Sequence, residues 1–139
     1  MKNLLPNKLS DCIDVALKDL DAAKKLGFKV DMNSWYQRKG KTCTVCLAGA
    51  VIAREFDLDN YESVGPSSLC TYRRLITKHD ENRLYALNLL RQGFVSMAVS
   101  FVDTVDNLPH TMLSSGNLDT KEWRKDMHNI RDYLREQGL

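Results

Sequence analysis

The sequence predicts an all-α fold, a compact bundle of about five helices around a buried central helix near residues 44–54, with at most a minor extended segment. Three observations predict it. Apolar residues recur at three- and four-residue spacing in several separate stretches, the signature of amphipathic helices. Nine consecutive apolar or small residues, Val45 to Ala53, form a helix apolar all round, which belongs at the centre of a core. Alternation of apolar and polar residues, the mark of a strand, is confined to a short stretch at 28–32.

Taking the elements in order, Ser10 reads as an N-cap, with Asp11 and Asp14 near the positive end of a helix over 11–26. Ile13, Ala16, Leu17, Leu20 and Ala23 supply its apolar face, Lys24 and Lys25 its last turn, and Gly27 its C′ position. Phe28, Val30 and Met32 alternate with Lys29 and Asp31. Residues 33–41 then read as a basic loop carrying Trp35, Tyr36, Arg38, Lys39 and Lys41. In the central helix, Cys46, Gly49, Ala50 and Ala53 make a small-residue stripe, and Gly49 suggests close approach of another backbone.

An acidic loop follows over 55–65, with Asp57, Asp59 and Glu62, and Ser67 or Ser68 caps a short helix through Leu75 and Ile76. Asp80 reads as the next N-cap, ahead of Leu84, Leu87 and Leu90. Gly93 either breaks or kinks that helix before Phe94, Val95, Met97, Ala98, Phe101, Val102 and Val105 resume helical spacing. Residues 106–118 form a loop. Asp119 with Glu122 makes a capping-box pattern for a last helix whose apolar face is Trp123, Met127, Ile130 and Leu134.

The totals exclude extremes. At 139 residues the chain suits one domain over 1–139 and can bury a core without staples. Twenty Lys and Arg against 18 Asp and Glu leave a net charge of +2, which excludes an acidic nucleic-acid mimic and argues against a bulk nucleic-acid binder. Four cysteines are too sparse for a disulfide scaffold. No secretory leader or membrane span is apparent, so the expected location is the cytoplasm, with thiols reduced and no membrane partner.

Few motifs carry chemistry. Cys43-Thr-Val-Cys46 opens the central helix, where a helix N-terminus favours a thiolate. A redox reading would need a buried strand of a parallel sheet ahead of it, and Arg-Lys-Gly-Lys-Thr does not read as one. A zinc set of Cys43, Cys46, Cys70 and His79 has finger-like spacing in its first pair only, so buried structural cysteines are preferred and no metal is assigned. Asp57-Leu-Asp59-Asn60-Tyr61-Glu62 echoes a calcium loop but has Glu62 at the turn glycine and Ser68 at the bidentate Glu. His79, His110 and His128 lie far apart, no catalytic motif occurs, and neither an enzyme nor a cofactor is expected.

What remains is binding. Trp35, Tyr36, Arg38, Lys39 and Lys41 form one aromatic and basic cluster, Arg73 and Arg74 another, and Asp57, Asp59 and Glu62 an acidic one. Aromatic and basic side chains together can stack bases and contact phosphates, so a nucleic-acid module using Trp35, Arg38, Lys39, Lys41, Arg73 and Arg74 is one alternative. The zinc-stabilised Cys/His protein is another.

The segment from Gly40 through Cys46-Leu-Ala-Gly49-Ala50-Val-Ile-Ala53, preceded by Trp35, resembles a pattern in small phage and prophage proteins of unknown function. There an aromatic residue and a glycine lead into a Cys-x-x-Gly-Ala-x-x-Ala helix. Leu87 to Gly93 with Ala98 fits the same type. The resemblance implies an accessory protein of phage origin in the host cytoplasm. Such a protein would bind and modulate a host or phage macromolecule, in host takeover or against host defence. A homodimer is a further expectation.

Overall fold

The computed structural model describes residues 3–30, 36–39, 42–56, 76–102 and 119–139. Among these, five helices and three short strands follow one another: α1 (Leu9–Lys25), β1 (Lys29–Val30), β2 (Tyr36–Lys39), β3 (Thr42–Val45), α2 (Leu47–Phe56), α3 (Lys78–Leu90), α4 (Val95–Val102) and α5 (Lys121–Glu136). The fold is the all-α bundle expected from the sequence. Residues 57–75, with the short helix at 67–76 apart from its last residue, lie outside the described residues, as does the loop over 106–118.

One apolar core joins all five helices. The α1 face reads as expected, with Ile13, Ala16, Leu17, Leu20 and Ala23 buried. On α2, Leu47, Ala48, Ala50, Val51 and Ile52 are all buried, so this helix is apolar on every side for its first turn and a half. It packs on α1, α3 and the sheet, while α5 lies along α1 and α4 lies on α3. Trp123, Met127, Ile130 and Leu134 seat α5.

The extended element is larger than the sequence indicates. β3 lies between β1, to which it is parallel, and β2, to which it is antiparallel. The register pairs Lys29 with Thr44, and Tyr36, Gln37, Arg38 and Lys39 with Val45, Thr44, Cys43 and Thr42. Residues 36–39 are therefore strand, not loop, and 42–45 are strand, not the opening of the central helix, which starts at Leu47. Pairing between segments outweighs the weak strand propensity of Gln, Arg and Lys.

Three expected N-caps hold other posts. Ser10 lies inside α1, where Lys8 is the N-cap without a side-chain bond, and its hydroxyl donates to the Leu139 carbonyl at 3.3 Å. Thr77, not Asp80, caps α3, its Oγ1 accepting from the Asp80 N–H at 3.2 Å. Thr120, not Asp119, caps α5 by accepting from the Trp123 N–H at 3.1 Å.

Gly93 ends α3 rather than kinking it. With φ at +84°, it closes a Schellman turn in which Phe94 N–H donates to Leu89 O and Gly93 N–H to Leu90 O. The same turn closes α1 at Gly27, as its C′ assignment required.

Candidate functional site

Cys46 sits between β3 and α2, only 1% exposed. Its sulfur accepts the Gly49 N–H at 3.3 Å, so the thiol caps the helix it precedes. A helix N-terminus favours thiolate, but here burial dominates and pushes the thiol upward, outweighing the Gly49 bond. Cys46 is thus a buried thiol, as the preferred reading of the cysteines has it, and the helix N-terminus does not activate it. A strand does precede the Cys46 sulfur, but Cys43 lies within it and its sheet is mixed, and the sulfur is sequestered and protonated. Cys12 is equally buried, its thiol pushed up to about 12 by burial and donating to the Pro6 carbonyl at 3.3 Å.

Of the zinc set, the two members whose side chains are described, Cys46 and His79, each hold a structural post. Cys46 caps α2. His79 is held by its Nε2–H, which donates to the Leu5 carbonyl at 2.8 Å. Cys43 lies on β3, where only its backbone position is described, and Cys70 lies outside the described residues. Among the described residues, no group of three or more His, Cys, Asp or Glu could hold a metal ion.

Carboxylates that could have done acid–base work are taken up by the fold. The buried Asp80 accepts the N–H groups of Leu4 and Leu5 at 2.9 and 3.0 Å. Beside it, Arg83 donates to the carbonyls of Pro6 and Asn7, so the first turns of α3 clasp residues 4–7. Asp119 takes a two-pronged contact from Arg124, at 2.7 and 2.8 Å, and Lys24 at 2.9 Å. Burial would raise its carboxyl, but the bonds from Arg124 and Lys24 outweigh that and hold it below its usual value. Arg124 also reaches Asp21 at 2.7 Å. Farther along, Arg131 and Arg135 converge on Asp14 and lower it in the same way, against the pull of burial. Asp19 differs: burial raises it, and the bond from Arg54 at 2.8 Å only partly offsets that.

Of the residues nominated for binding, Tyr36, Arg38 and Lys39 fall together on β2, an outer strand of the sheet among the described residues. Trp35, Lys41, Asp57, Asp59, Glu62, Arg73 and Arg74 lie outside the described residues.

A second surface went unnominated. On α4, Val95, Ala98 and Val99 are buried, but Met97 and Phe101, read from spacing as part of the same apolar face, are 52% and 40% exposed. The Phe101 ring stacks on Tyr85 of α3, with centroids 5.7 Å apart and planes at 20°. A sequence signal was available. From Leu84 to Val102 the only charged residue is Arg91, and it is buried.

No family model, curated protein or solved structure matches the chain. No described helix is long and apolar enough to cross a membrane. The structure defines a helical bundle with a small mixed sheet.

Proposed function

We propose that the chain is a non-catalytic binding protein of phage type, which docks on a host or phage protein in the host cytoplasm and modulates it, in host takeover or against host defence. The observation that carries this reading is the position of β2. An outer strand offers a row of backbone N–H and C=O groups to an incoming chain, and strand addition is a recurrent mode of recognition. Tyr36 and Arg38 on that strand are residue types enriched at interfaces. The chemistry-bearing groups elsewhere support binding over catalysis, because the Cys12 and Cys46 thiols are buried and protonated and Asp80 and Asp119 are occupied by structural partners.

A second reading has nucleic acid as the partner, favoured by the adjacent cations Arg38 and Lys39 on the same strand. Affinity capture from bacterial lysate, comparing the native chain with an Arg38→Glu/Lys39→Glu variant, tests the first reading. A protein retained by the native chain and lost by the variant supports it, and identical sets of retained proteins overturn the role of β2. Oligonucleotide binding that weakens steeply between low and moderate salt transfers the site to nucleic acid.

A further inference from the structure

The α3–α4 face combines features that together define an interface, and it is separate from β2. Met97 and Phe101 stand one turn apart on α4 and are exposed, and Phe101 is braced against Tyr85. Leu89 and Val102 lie half-buried on the same pair of helices, joining this surface to the core. Interface centres are enriched in aromatic residues and Met and depleted of charge, and 84–102 follows that pattern. Its one charge, Arg91, is 8% exposed, with its Nε on the Asn88 Oδ1 at 2.7 Å.

The chemistry selects the occupant. Nucleic acid needs cations, and the described residues of this face from Leu84 to Val102 present no exposed one. A helix lying on a membrane surface needs a basic polar face, whereas the polar residues here are Asn88, Gln92, Ser96 and Ser100. An acidic or basic peptide would bury its charge against groups that cannot neutralise it. A two-fold contact makes a different demand, since each surface meets itself and any net charge faces its like. A neutral surface escapes that repulsion. Amide and hydroxyl groups both donate and accept, so Gln92, and the bonding capacity that Asn88 and Ser100 keep beyond their contacts with Arg91 and Met97, can meet the same groups of a second copy.

We propose that the α3–α4 face binds a second copy of this chain, the two copies packing Met97, Phe101 and Tyr85 against one another about a two-fold axis. Sedimentation velocity of the full chain over a concentration series tests this. The native chain is expected to pass from monomer to dimer, and Phe101→Glu to weaken association at least ~30-fold, the loss typical of a hot-spot residue. Met97→Lys, at a more exposed side chain, is the second variant and decides the matter if Phe101→Glu loses its helical circular dichroism. Lys125→Glu, on the exposed surface of α5, should leave association unchanged. A native chain that stays monomeric throughout overturns the proposal, and so does a dimer that survives both face variants or is lost with Lys125→Glu. Because β2 takes no part, self-association and partner capture succeed or fail separately.

Discussion

The α1–α5 pair and the α3–α4 pair are both apolar inside, yet their outer surfaces are opposites. Between α1 and α5, Lys24, Asp119, Arg124 and Asp21 form one ionic network, and Asp11, Asp14, Arg131 and Arg135 another. Early α1 residues meet late α5 residues and late meet early, so the two helices are antiparallel and the charges fix their register. Along α3 and α4, from Leu84 to Val102, the one charged residue is Arg91, which is buried. The outward side chains there are aromatic, Met, amide and hydroxyl groups. The difference separates two uses of a helix surface. Charges that pair within the chain hold a helix in register, whereas a face without charge can be desolvated at low cost.

Trp123 is completely buried, and its Nε1–H donates to the Arg91 carbonyl at 3.2 Å, linking α5 to the end of α3. Trp123→Ala should destabilise the chain by about 3–5 kcal/mol in urea denaturation. A loss below about 1 kcal/mol would mean that the surface ion pairs, not the core, hold α5. Next is the clasp beneath α3. Asp80→Ala strands the N–H groups of Leu4 and Leu5 and should lose about 1–3 kcal/mol. Asp80→Asn, which keeps one acceptor, should recover part of it, and equal losses would contradict the acceptor role.

Smaller again is the turn that sets α4 against α3. Gly93→Ala forces a side chain into left-handed backbone and should cost roughly 1–2 kcal/mol. A neutral or stabilising result would contradict the Schellman geometry. The smallest effect belongs to the charged seam and appears with pH. Asp14 and Asp119 are lowered in the fold, so their stabilisation is present above their unfolded value of 3.8 and is lost as pH falls through the folded values. Asp19, raised by burial, contributes with the opposite sign. Asp119→Asn should therefore flatten the decline of stability below 3.8 relative to the native chain, and superimposable slopes would contradict its pairing with Arg124 and Lys24.

Helix faces were legible because burial follows period: every apolar residue assigned to α1 and α5 from spacing is buried. Caps were not. Ser10, Asp80 and Asp119 are ordinary capping residues by type, but each is drawn to a group far along the chain: Leu139, Leu4 with Leu5, and Lys24. A local pattern cannot register a competitor that distant, and Thr77 and Thr120 take the caps on α3 and α5. The strands failed for a similar reason, since Tyr-Gln-Arg-Lys becomes a strand only through its register with β3. Met97 and Phe101 fit the α4 apolar pattern, and periodicity alone does not reveal that α4 buries only part of it. The want of charge around them did carry that information.

Ion pairs on the α1–α5 side thus fix the register of α5 on α1, while, on our proposal, the neutral α3–α4 side meets another copy. The unfolding midpoint measured against protein concentration tests it most directly, because association confined to the folded state makes the midpoint rise with concentration. That rise is expected in the native chain. It should persist in Arg131→Glu, with the whole curve displaced to lower temperature, and vanish in Phe101→Glu. A native midpoint independent of concentration, or a rise abolished by Arg131→Glu and kept by Phe101→Glu, would contradict it.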